Sequence, residues 1–120
     1  MGYIRNHAIV VTGTYGGHVY TAHALAVEIF GNAVSSVTPP AVNHSESFFV
    51  APDGSKDGWD ESDDGNARRD RFKNWLRSIA YEDGSSPLSW VELYFGGDDN
   101  EASVIDHSSA GIAEQSGPSA

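Results

Sequence analysis

Five of the seven basic residues fall within ten positions: Arg68, Arg69, Arg71, Lys73 and Arg77. Guanidinium groups gathered this densely suit a phosphate or carboxylate, which they grip with two parallel hydrogen bonds. A competing reading is internal: Arg68 has Asp60 and Asp64 within reach for a salt bridge. The segment before the cluster, Pro52 to Gly65, is polar and acidic. Within it, Asp60-x-Ser62-x-Asp64-Gly65 has the opening of a calcium loop. Position twelve of that loop is Arg71, where calcium needs a bidentate Glu, so no calcium site is expected. Trp59 either plugs an edge of the core or stacks on a ligand. Gly13-Thr14-Tyr15-Gly16-Gly17 leads into a helix, the arrangement that binds anions at a helix N-terminus; a tight turn needing positive φ explains the same glycines.

Other chemistries lack their residues. The five histidines, His7, His18, His23, His44 and His107, include no H-x-x-x-H pair, and zinc is not expected. There is no cysteine and no G-x-S-x-G elbow for a nucleophile. His7 or His107 could act as a general base from a strand, although a lone strand histidine usually has a structural role.

The elements that must position these groups follow from periodicity. Residues 8–12 are apolar and β-branched on both parities, as in a buried strand. Val19, Ala22, Ala26, Ile29 and Phe30 recur at helical spacing over 18–30, with Gly31-Asn32 as the stop. Strands are expected at 33–38, 47–51, 88–95 and 102–107. A second helix is expected over about 64–81, with Ser62 as N-cap and Phe72, Trp75, Leu76 and Ile79 as its buried stripe. On that stripe Arg68 shares the inward face, Arg69 and Lys73 flank one edge, and Arg77 is solvated.

The order β-α-β-β-α-β-β predicts an α+β fold of the ferredoxin-like type, with an added fifth strand and both helices on one face of the sheet. One domain is expected over 1–108 and a flexible tail over 109–120, where Ser, Ala, Gly and Pro dominate. A length of 120 residues and 39% hydrophobic content suit one core. No apolar run is long enough to span a membrane, and the first residues lack the apolar stretch of a signal peptide. The absence of cysteine fits a reducing cytosol. A net charge of −10 repels nucleic-acid backbones. It serves solubility, or else imitates DNA.

Three stretches carry a resemblance: Ile4 to Thr12, Phe48 to Trp59 with its Asp53-Gly54-Ser55-Lys56 core, and Tyr81 to Ser86 with Trp90-Val91-Glu92. Together they resemble a family of small proteins encoded widely in phage genomes, over about residues 3–108. His44-Ser45-Glu46 and Gly96-Gly97 depart from its pattern. By analogy of size and class, the chain is similar to phage counter-defence sponges of the anti-Thoeris type, which hold cyclic ADP-ribose-type signals.

The function that follows is capture, without turnover, of a small anionic nucleotide-like signal in the cytoplasm of an infected host cell, with no cofactor or metal. Arg5, Lys56, Arg68 and Arg69 are the phosphate candidates. Trp59, Phe48 and Trp90 are the stacking candidates, and Asn43 and Asp53 the hydrogen-bonding ones. The uncovered sheet face implies a homo-oligomer. Two alternatives stay open: an acidic, DNA-mimicking inhibitor of a defence nuclease, and a nucleotide-degrading enzyme.

Overall fold

The computed structural model describes residues 3–98 and 101–108. The chain runs β1 (Tyr3–Ile4), β2 (Asn6–Gly13), α1 (His18–Phe30), β3 (Glu46–Val50), β4 (Lys56–Asp57), α2 (Asp60–Ser78), β5 (Leu88–Gly96) and β6 (Glu101–His107). Four strands form one antiparallel sheet in the order β3-β2-β5-β6, and β1 pairs with β4 in a separate ribbon. This α+β arrangement is compatible with a ferredoxin-like fold.

Alternation along the strands divides the sheet into two faces. Ile9 and Val11 of β2, Phe48 and Val50 of β3, and Leu88 and Trp90 of β5 point to one face. There they join Val19, Ala22 and Ala26 of α1 and Phe72 and Leu76 of α2 in a single core. Both helices therefore cover the same face. The opposite face carries Val10, Phe49, Val91, Leu93, Phe95 and Val104, as the register of the strand pairs requires. No element of the described chain packs over it.

The segment 33–38, expected as a strand, is reduced to a single bridge, Val34 to Val50. The chain still follows β3, and Ser35 N–H and Thr38 N–H donate to the Phe49 and Ser47 carbonyls. Only one return bond reaches a backbone carbonyl, from Ala51 N–H to Ala33; the other two go to side chains, from Phe49 N–H to Ser35 Oγ and from Ser47 N–H to Thr38 Oγ1. Hydroxyls have taken the place of backbone carbonyls, and a regular ladder is lost. Residues 109–120, expected as a tail, lie outside the described residues.

Helix α1 has the expected limits, ended by Gly31 at φ 61°. Helix α2 starts four residues before the expected Asp64 and ends at Ser78. Its N-cap is Trp59, not Ser62, which is buried inside the first turn. Gly58, at φ 91°, turns the chain into the helix. Asp60, Glu61 and Asp63 then place three acids where the helix dipole favours them.

Candidate functional site

A cleft of about 430 Å³ opens where β2 begins and β3 ends, between the C-terminus of α1 and the first half of α2. His7 and Ile9 line it from β2, Glu28 and Phe30 from α1, Val50 from β3, Asp53 from the following loop, and Gly65, Arg68 and Arg69 from α2.

Arg69 organises the floor. It is only 5% exposed, because the inward line of α2 runs Ser62, Gly65, Arg69, Phe72, Leu76. This corrects the expectation that Arg68 faces inward. Leu76 is fully buried and Trp75 only partly, so the inward axis falls on the Arg69 side of the helix. The Arg69 guanidinium meets Glu92 Oε2 through Nε at 3.7 Å and Asp53 Oδ2 at 3.7 Å, and donates to Asn66 Oδ1 at 2.5 Å. Glu92, 4% exposed, also accepts from Lys73 Nζ at 2.5 Å. Lys73 reaches on to Asp106 at 3.2 Å, and Asp106 accepts from Arg77. Charges thus alternate in sign from Asp53 through Arg69, Glu92, Lys73 and Asp106 to Arg77. Each buried charge has an opposite neighbour, the condition under which burial is tolerated.

Titration directions agree with this chain of pairs. Burial pushes the Asp106 carboxyl up, but Arg77 and Lys73 outweigh it and hold the group below its ordinary value. Burial likewise raises Asp53, and the Ser55 hydroxyl and N–H, with help from Arg69, bring it below normal. For Lys73, burial lowers the value while Glu92 and Asp106 raise it further, so the net direction is upward.

Gly65 explains how Asp53 reaches Arg69. A β-carbon at Gly65 would overlap the Asp53 carboxylate. A glycine inside a helix costs about 1 kcal/mol relative to alanine, and here it makes room for the loop to close on the helix.

Arg68 differs from its neighbour. It is exposed at the mouth of the cleft, and it makes no ion pair or hydrogen bond among the described residues. The salt bridge to Asp60 or Asp64 is not formed. Arg77, expected to be solvated and idle, instead pairs with Asp106 and lies 5.2 Å from the Trp90 ring centre. His7 also lines the cleft, with Nδ1 4.0 Å from Glu92 Oε2.

Of the nine expected site residues, the cleft gathers Asp53, Arg68 and Arg69. Phe48 and Trp90 are core residues, 2% and 4% exposed, because both stand on the inward parity of their strands; neither ring is open to a ligand. Arg5 lies over the Tyr94 ring and Lys56 over the Trp59 ring, at 5.1 and 5.4 Å. Trp59 is 47% exposed at the N-terminus of α2, so it does not plug the core. Asn43 sits at the opposite end of the sheet in a left-handed turn at φ 58°. Sequence reasoning passed over Glu92, although its parity with Leu88 and Trp90 places a carboxylate inward.

A second polar cluster occupies that opposite end. Glu46, 2% exposed, accepts from the Tyr20 hydroxyl and lies 3.2 Å from His44 Nε2. His44 stacks on Tyr15 with centroids 5.4 Å apart. The hydrogen bond that the Tyr20 hydroxyl donates to Glu46 raises that hydroxyl above its ordinary value. Compared with protein-family models, with curated proteins and with solved structures, the chain matches none.

Proposed function

We propose that the cleft captures a small anionic ligand of nucleotide type and holds it without turning it over. One observation carries this reading: an exposed guanidinium, Arg68, unengaged among the described residues, stands at the mouth of a cleft whose other guanidinium, Arg69, is spent on internal pairs. An arginine with all its donors free is suited to a bidentate grip on phosphate. The floor behind it is rigid because its charges are mutually fixed, and a prearranged site loses less entropy on binding. Ile29 and Phe30, both partly exposed, provide apolar wall beside that cation, as a ligand with a phosphate and a flat base requires.

The resemblance to small phage-encoded proteins supports the biological form of this reading. The ligand would be a nucleotide-derived immune signal, cyclic ADP-ribose-type or a cyclic oligonucleotide, and the protein a counter-defence sponge in the cytoplasm of the infected cell. The same reading takes 33–38 as a degenerate second strand, with the strand at Glu101–His107 as the added fifth strand of a ferredoxin-like sheet.

One observation favours a second reading. His7 lines the cleft beside the buried Glu92 carboxylate, the relation of a general base to its orienting acid. A nucleotide-degrading enzyme would use it.

Thermal unfolding with micromolar cyclic dinucleotides or cyclic ADP-ribose separates these readings. A captured ligand at a hundred times its dissociation constant adds about 2.7 kcal/mol, and heating the complex returns it intact. Return of a cleaved product instead establishes the enzyme. No shift with any of these probes contradicts capture.

A further inference from the structure

We propose that the uncovered face of the four-stranded sheet joins two copies of this chain into a dimer. The face has an unusual charge distribution for this molecule. The net charge is −10, yet by strand register the uncovered face presents no Asp, Glu, Lys or Arg. The helix-bearing side exposes Asp60, Glu61, Asp63, Asp64 and Asp70 along α2. Two identical acidic molecules meeting there would set like charges against each other, which costs several kcal/mol. On the bare sheet face they meet without that cost.

The face is also apolar and complementary to itself. Phe49, Phe95 and Val104 are 45%, 40% and 60% exposed. A hollow of about 220 Å³ lies over β5 and β6, walled by Leu93, Phe95, Ala102 and Val104. Phe49 projects from β3, at the opposite edge of the same face. A two-fold axis lying between the two sheets, along the boundary of β2 and β5, brings the β3 side of each copy over the β5–β6 side of the other. Each Phe49 then stands over the β5–β6 half of the other copy at the level of Val91, beside the hollow, and the contact is isologous. Face-to-face packing of this kind is the ordinary way two sheets bury their apolar sides.

Light scattering and sedimentation of the full chain at micromolar concentration provide the test, beside Phe49→Glu and Val104→Glu. Both side chains are exposed in the single chain, so the substitutions leave its fold intact, as circular dichroism would verify. The expected result is a wild-type mass twice that of the chain, a melting temperature that rises with concentration, and a monomeric mass for both variants. A monomeric wild type overturns the proposal, whether the face is then bare, covered by residues 109–120 or kept for another protein. A dimer that survives both substitutions also overturns it, because the contact would lie elsewhere.

Discussion

Glu92 and Glu46 make an instructive pair. Both are buried carboxylates on the helix side of the sheet, 4% and 2% exposed, at opposite ends of it. They differ in how their charge is met. Glu92 lies between the cations Lys73 and Arg69, and these are anchored in turn by Asp106 and Asp53. Glu46 has a Tyr20 hydroxyl and one imidazole, His44, whose backbone sits in the left-handed region at φ 58°. One end of the molecule is fixed by a chain of paired charges, while the other rests on a hydroxyl and a single imidazole. The fixed end is the one that carries the cleft. This fits a site whose geometry must exist before the ligand arrives.

The largest effect that would test this contrast is at Glu92. Glu92→Ala leaves Arg69 and Lys73 buried without their shared acid, and the expected loss is about 3–5 kcal/mol. Glu46→Gln keeps the size of the side chain and can still accept from Tyr20, so about 1 kcal/mol is expected, a typical net hydrogen-bond contribution. Urea unfolding of both variants measures the difference. Equal losses would erase the distinction between the two ends.

Gly65 sharpens it further. Gly65→Ala should destabilise by about 1–3 kcal/mol as an overpacked contact, despite alanine's better helix propensity. The double variant Gly65→Ala with Asp53→Gly should recover part of that loss, because the overlapping carboxylate is gone. A fully additive double-mutant cycle would mean that Gly65 does not hold the loop against α2.

A smaller effect is expected with pH. The folded-state values of Asp106 and Asp53 lie below the ordinary 3.8. Their contribution is present above that pH and is lost as pH falls through the lowered values. Lys73 is raised above 10.5, so its contribution is present below that pH and is lost as pH rises through the raised value. Urea midpoints should form a plateau between these limits. Lys73→Met should lower the plateau and flatten its alkaline side. An unchanged alkaline slope would remove Lys73 from the network.

Much of the fold was legible because it rests on local patterns. Val19, Ala22 and Ala26 with Gly31 define α1, and the inward parity of Leu88 and Trp90 defines β5. Features built by long-range contacts were not legible. The β1–β4 ribbon consists of two-residue strands tied in place by Asp98, whose carboxylate accepts from Ile4 N–H and whose own N–H donates to the Ile4 carbonyl. The candidate site was read one residue off. Periodicity places both Arg68 and Arg69 near the apolar stripe, and only the packing of Leu76 against the sheet decides which turns inward. Phe48 and Trp90 look like stacking residues until the sheet shows that the core takes both rings.

The most direct measurement compares Arg68→Ala with the wild-type chain for both ligand affinity and melting temperature. An exposed side chain without partners among the described residues should leave stability within about 0.5 kcal/mol, while the affinity for a cyclic nucleotide probe falls at least tenfold and the thermal shift at a hundred times the wild-type dissociation constant drops to about half or less. Unchanged affinity in the Arg68→Ala variant would contradict the placement of the ligand in this cleft.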